Sequence, residues 1–248
     1  KDTFVGASNL ATSGSNVGFS DYDNATGAWS YYQTGASGTG NFVSGEGHAV
    51  KLNAVGSVSF SGSFNNADAS VAVSSGAANN FNLIGNPYLA YVSVVEMLNA
   101  NTALLTGAAA EQTVWLWDQA ADAYVQKNLA TDLEVAPGQG FFVLTNAAGN
   151  FSITEAMQSH NATNTFQRVT RPEVALTLSN GELSRTADIF YINGATKGFD
   201  NGFDSSIFGG VANEFAVYTR AVANGNGRNL GIQSLPQGEY ENMIIPVG

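Results

Sequence analysis

Asn82-Leu83-Ile84-Gly85-Asn86-Pro87-Tyr88 is the stretch on which the fold turns. An apolar strand signal, Phe81 to Ile84, runs into Gly-Asn-Pro-Tyr, a turn-forming run that stops it. Beyond it, residues 92–99 (VSVVEMLN) put Val92, Val95, Met97 and Leu98 on one broad apolar side. Ser93 supplies an N-cap and Glu96, three residues on, the second half of a capping box. One short helix is therefore predicted, plugging an open end of a β-sandwich. Upstream, Ala69 to Val73 reads as a short strand and Asn79-Asn80 as a turn; downstream, Asn101 to Ala110 reads as a loop.

The stretch also separates two copies of one pattern. Tyr22-Asp23-Asn24-Ala25-Thr26-Gly27-Ala28-Trp29 aligns with Trp117-Asp118-Gln119-Ala120-Ala121-Asp122-Ala123-Tyr124. In each, an aromatic ends a strand, an Asp opens a tight turn and an aromatic starts the return strand, which predicts a hairpin. Residues 45–60 (GEGHAVKLNAVGSVSF) align without gaps on 138–153 (GQGFFVLTNAAGNFSI), with seven of sixteen positions identical. The Gly-x-Gly at the head of each block has no helix after it, so it reads as glycines at a strand start and not as a phosphate loop. The first domain is thus predicted as residues 1–168, an internal duplication with copies at about 17–75 and 111–160 joined by 79–110. Lys1 to Asn16 reads as a Ser/Gly/Asn-rich lead-in anchored by Phe4, Val5 and Leu10.

After Arg171-Pro172 the pattern changes. Runs at Val174 to Leu178, Ala187 to Ile192, Glu214 to Thr219, Asn229 to Ile232 and Met243 to Val247 predict a second β-sandwich over 169–248. Its final strands are expected to be lacking, because the chain stops inside a strand-like run. With no signal peptide visible before Lys1, the sequence reads as a piece of a longer polypeptide. The fold class is all-β: two β-sandwich-like domains, the first duplicated and carrying one short helix.

Composition narrows the partners. Charged residues are only 12% of the 248, glycines number 28, and the net charge is −11. A polar, weakly charged, turn-rich surface suits an extracellular β protein. Its acidity disfavours nucleic acid and anionic lipid. No apolar run reaches the roughly 20 residues of a membrane-spanning helix. The absence of Cys removes disulfides and thiolate chemistry together.

Four segments, 80–101 (NFNLIGNPYLAYVSVVEMLNAN), 114–118 (VWLWD), 135–143 (VAPGQGFFV) and 193–210 (NGATKGFDNGFDSSIFGG), resemble a module of large secreted and cell-surface proteins of Bacteroidota. In those proteins the module lies upstream of a sorting domain for type IX secretion. The resemblance implies export across the outer membrane and display on, or release from, the bacterial cell surface. It implies no particular chemistry, and further copies of the chain or adjacent domains are its expected partners.

The chemistry-bearing residues point in three directions. A hydrolase would need paired carboxylates, for which Glu46, Asp118, Asp122, Asp132 and Glu134 are candidates, but the two in the hairpin are explained by turn chemistry. The histidines lie apart: His48, aligned with Phe141, reads as a half-buried strand residue, and His160 as a loop residue. Calcium is a candidate cofactor, on Asp200, Asn201 and Asp204, whose hard oxygens sit in a Gly-rich loop with Phe199 and Phe203 packed beneath; Asp21 and Asp23 form a weaker second set. Sugar binding rests on Trp29, Tyr31, Trp115, Trp117 and Tyr124, since exposed rings stack on pyranose faces. Their alternate spacing places Trp29 with Tyr31, and Trp115 with Trp117, on one face of a strand, which fits core packing as well as a platform. The expected role is non-enzymatic: a structural or adhesive surface module, self-associating, with a carbohydrate-binding accessory module of a polysaccharide-degrading enzyme as the alternative.

Overall fold

The structure is a computed structural model that describes residues 1–131, 133–159, 171–211, 215–225, 227–238, 240 and 243–248. About 40% of the chain is strand and 9% helix, in several sheets with no barrel, so the fold is all-β. Asp132, His160 and Glu214, named above as candidates or as a strand end, lie outside the described residues.

In chain order, α1 (Asp2–Ala7) leads into β1 (Thr12–Ser13), β2 (Asn16–Asp23), β3 (Ala28–Gln33) and β4 (Ala49–Val50). The joining segment holds β5 (Ala69–Val73), β6 (Phe81–Gly85), β7 (Tyr91–Ser93), α2 (Val94–Ala100) and α3 (Thr102–Leu105). Next come β8 (Glu111–Asp118), β9 (Ala123–Asn128), β10 (Glu134–Val135), β11 (Gly140–Leu144), β12 (Gly149–Ile153), a 3₁₀ turn (Glu155–Met157) and β13 (Gln158–Ser159). The last sheet is built from β14 (Glu173–Ser179), β15 (Ser184–Ile192), β16 (Ser205–Ser206) and β17 (Leu230–Pro236).

The two hairpins match residue for residue. Tyr22 pairs with Trp29 across β2 and β3, and Trp117 with Tyr124 across β8 and β9. In each turn the Asp accepts from the backbone two residues on, Asp23 from Ala25 and Asp118 from Ala120, both at 2.8 Å. Equivalent residues, Gly27 and Asp122, take positive φ. The next strand also recurs, β4 pairing with β2 as β11 pairs with β8.

β6 lies between the copies. Along one edge it pairs with β11 from Gly85↔Gly140 to Phe81↔Leu144. Along the other it receives the first copy: Ile84 bridges Glu46, Gly47 N–H donates to Leu83, and Gly85 N–H donates to Gly45 at 2.8 Å. Gly47 has to be glycine here, because a Cβ would fall 2.8 Å from the Ile84 carbonyl oxygen.

The sheet β6-β11-β8-β9 is the centre of the molecule. Alternation sends Val114, Leu116, Phe141 and Val143 to one side, into a core with α2, β5 and β12. It sends Trp115 and Phe142 to the other, against Phe81 and Phe208. Fully burying each such side chain contributes roughly 1.5–3 kcal/mol. α2 starts where the capping signal places it, Ser93 Oγ accepting from the Glu96 N–H at 3.3 Å.

Several expectations are corrected. The predicted 92–99 helix begins at Val94, because Tyr91–Ser93 is first spent as a strand between β10 and β13. The expected loop 101–110 contains α3, whose Leu105 is buried, and the lead-in contains α1, whose Phe4 is buried. The first copy lacks the strand equivalent to β12: residues 56–60 form none, and Phe60 instead stacks on Phe4 at 4.9 Å. Residues 215–219 and 243–247 are not strands either; Thr219 makes single bridges to Leu230 and Val247. His48 is buried deeper than half, its side chain 9% exposed.

Candidate functional site

Residues 198–210, the loop read as a calcium candidate, run across the β8-β9 hairpin and fasten the last sheet to it. The Asn201 carbonyl oxygen Oδ1 accepts from Gln112 N–H at 2.8 Å, and its Nδ2 donates to Leu105 O at 2.9 Å. Ser205 Oγ receives Asn128 Nδ2 and shares a hydrogen bond with Thr113 Oγ1, each at 2.8 Å. Glu111, fully buried, accepts from Ser206 N–H and Oγ and from the Arg228 guanidinium. Trp115 Nε1 donates to Ser206 O, and Tyr22 OH to Gly210 O.

Asp204 is wholly buried, one oxygen accepting from Asp200 N–H at 2.6 Å and the other from Ser234 N–H. Burial pushes its pKa up to about 7, against the pull of those two donors. Asp200 is turned the other way, onto the Thr196 N–H and hydroxyl. The oxygens of Asp200, Asn201 and Asp204 are thus already committed to separate donors, and the set does not fit a calcium ion, which needs six to eight converging oxygens. Among the described residues no three His, Cys, Asp or Glu side chains gather. Phe203 is exposed rather than packed beneath, while Phe199 lies under Arg228, 4.4 Å from its guanidinium. Asp23 caps its turn and Asp21 bonds His48, so the second candidate pair is likewise committed.

The aromatic residues divide. Trp115 is core, 0% exposed, so a ligand role is corrected: Phe208 arrives from the last sheet and seals that face. Trp29 and Tyr124 are half-buried in the same cluster, and burial pushes the Tyr124 hydroxyl up to about 12. Trp117 and Tyr31 are exposed, on different hairpins. Trp117 and Tyr124, in T-shaped contact at 5.1 Å, border a groove of about 450 Å³ between β9 and β15. Lys127, Arg185 and Asp188 supply its polar lining. Burial raises the Asp188 carboxyl, and Lys127 draws it back down. Arg185 rests on the Ala121 and Asp122 carbonyls, with its Nε buried and unbonded.

No known protein family, curated protein or solved structure matches the chain.

Sequence reasoning missed Glu111, Arg228 and Phe208. The one signal for them was the density of Asp, Asn, Ser and Phe in 198–210, which reads equally as a ligand loop or as a clasp. The hydrolase candidates Glu46, Asp118, Asp122 and Glu134 are not brought together. Glu46 lies at the β6 bridge, Asp118 and Asp122 in their turn, and Glu134 in β10, where it accepts from Ser159.

Proposed function

We propose that this chain is a non-enzymatic structural and adhesive module of a type IX-secreted bacterial surface protein, working outside the cell. The observation that carries the reading is where the reactive side chains are spent. Glu111, Arg228, Asn201, Asp204 and Trp115 all join one sheet to the next. Such a clasp gives a stiff unit able to bear load between neighbouring domains, and it leaves its acids and amides saturated. The low charge and the glycine-rich turns fit an exposed surface.

Surface proteolysis of a Bacteroidota host making the natural protein tests this reading. Intact cells should yield protease-cleaved protein, and cells without a working type IX system should retain it uncleaved inside. Retention in both strains would refute the assignment. The groove beside Trp117 favours a second reading, a carbohydrate-binding accessory module. That reading predicts retardation on polysaccharide-containing native gels, lost in Trp117→Ala.

A further inference from the structure

We propose that β14 pairs antiparallel with β14 of a second copy, about a twofold axis through Leu176, joining two four-stranded sheets into one. The last sheet has the order β14-β15-β17-β16, and among the described residues the outer edge of β14 has no partner strand. Open edges are ordinarily guarded by charge, proline or a bulge. β14 (EVALTLS) has no proline, pairs with β15 without a register shift, and carries one charge, Glu173 at its end.

The strand is also self-complementary, as a twofold interface requires. With Leu176 opposite Leu176, Val174 meets Leu178, Ala175 meets Thr177, and Glu173 meets Ser179, so no like charges oppose each other. Opposed residues in an antiparallel pair share a face. Val174, Leu176 and Leu178 would thus extend the apolar face of Ile189, Tyr191 and Leu235 across both copies. That face is thinly covered in one copy, by Val222, Met243 and Ile245. Val174 remains 44% and Leu178 40% exposed. The pairing bears on the structural reading by naming its partner, but it stands apart in test: dimerisation in solution does not depend on surface display, nor display on dimerisation.

The chain has no Cys, so introduced thiols report contacts without background. Ala175→Cys and Thr177→Cys are made separately, both at exposed positions, and oxidised alone and mixed. Directly opposed residues lie about 4.5–5.5 Å apart, within disulfide reach; diagonal ones lie about 7–8 Å apart, at or beyond its limit. The mixture should give several-fold more linked dimer than either variant alone, and the parent should sediment as a dimer. A parent that stays monomeric overturns the proposal, as when another segment of the same polypeptide fills the edge. Equal linking in all three samples, the mark of random collision, overturns it too.

Discussion

Replacing Asn86 tests whether the central stretch holds the fold together. Its side chain is 6% exposed, and Nδ2 donates to Ala90 O, Val135 O and Ala136 O at 2.9, 3.1 and 3.0 Å. Its Oδ1 accepts from Tyr88 N–H at 2.9 Å. One amide therefore fixes the turn after β6 and pins it to the end of β10. Asn86→Ala removes two donor hydrogens and one acceptor and leaves buried backbone groups unmet. At about 1 kcal/mol per lost bond, the expected cost is about 3 kcal/mol. For a chain of this size that corresponds to a fall in Tm of roughly 6–12 °C. Asn86→Asp keeps the shape and the Tyr88 bond but turns a carboxylate onto three carbonyls. It should cost at least as much at neutral pH and recover at low pH, where the carboxyl is protonated. Urea and thermal unfolding of the three proteins decide the matter. An Asn86→Ala variant within about 0.5 kcal/mol of the parent, in the range of ordinary surface changes, would refute the reasoning.

Three further outcomes are expected. Asp204 holds its proton up to about pH 7 when folded but only to about 3.8 when unfolded, so its contribution to stability falls as pH rises from about 4 to 7. Asp204→Asn should flatten the unfolding-versus-pH curve across that window, and equal slopes would contradict the buried carboxyl. Gly47→Ala, whose Cβ meets the Ile84 carbonyl, should destabilise more than Gly138→Ala, which has open space and loses about 1 kcal/mol to its positive φ alone; chemical denaturation ranks them. Calcium at about 10 mM, well above the affinities of weak extracellular sites, should leave Tm unchanged within about 1 °C. A rise of several degrees would overturn the reading of Asp200, Asn201 and Asp204 as a clasp.

Local signals in the sequence carried far where local chemistry decides structure. The Asx turns at Asp23 and Asp118, the Ser93 cap and β5 at Ala69–Val73 all stand where turn, cap and alternation rules place them. The duplication was legible because seven identities mark positions that pack on one shared strand, Gly45 and Gly47 on one side of β6 and Gly140 on the other. What could not be read depended on partners distant in sequence. Trp115 and Trp117 have the same local pattern, yet one is sealed by Phe208, 93 positions after it, and the other faces water. Asp204 and Asn201 have the composition of a cation loop, and only the arrival of Ser234 and Gln112 settles what their oxygens accept. Residues 56–60 repeat those of β12, but β5 pairs with β12, so the first copy's segment forms no strand.

The central claim is that β6 is shared by both copies, so neither opens without the other. Native-state hydrogen exchange reads this directly at two amides, Gly85 N–H, bonded to Gly45, and Phe142 N–H in β11 on the other flank. Both should exchange with the same opening free energy, equal to that of global unfolding. Exchange of Gly85 at a much lower free energy than Phe142 would mean that the first copy detaches by itself, and would contradict the account.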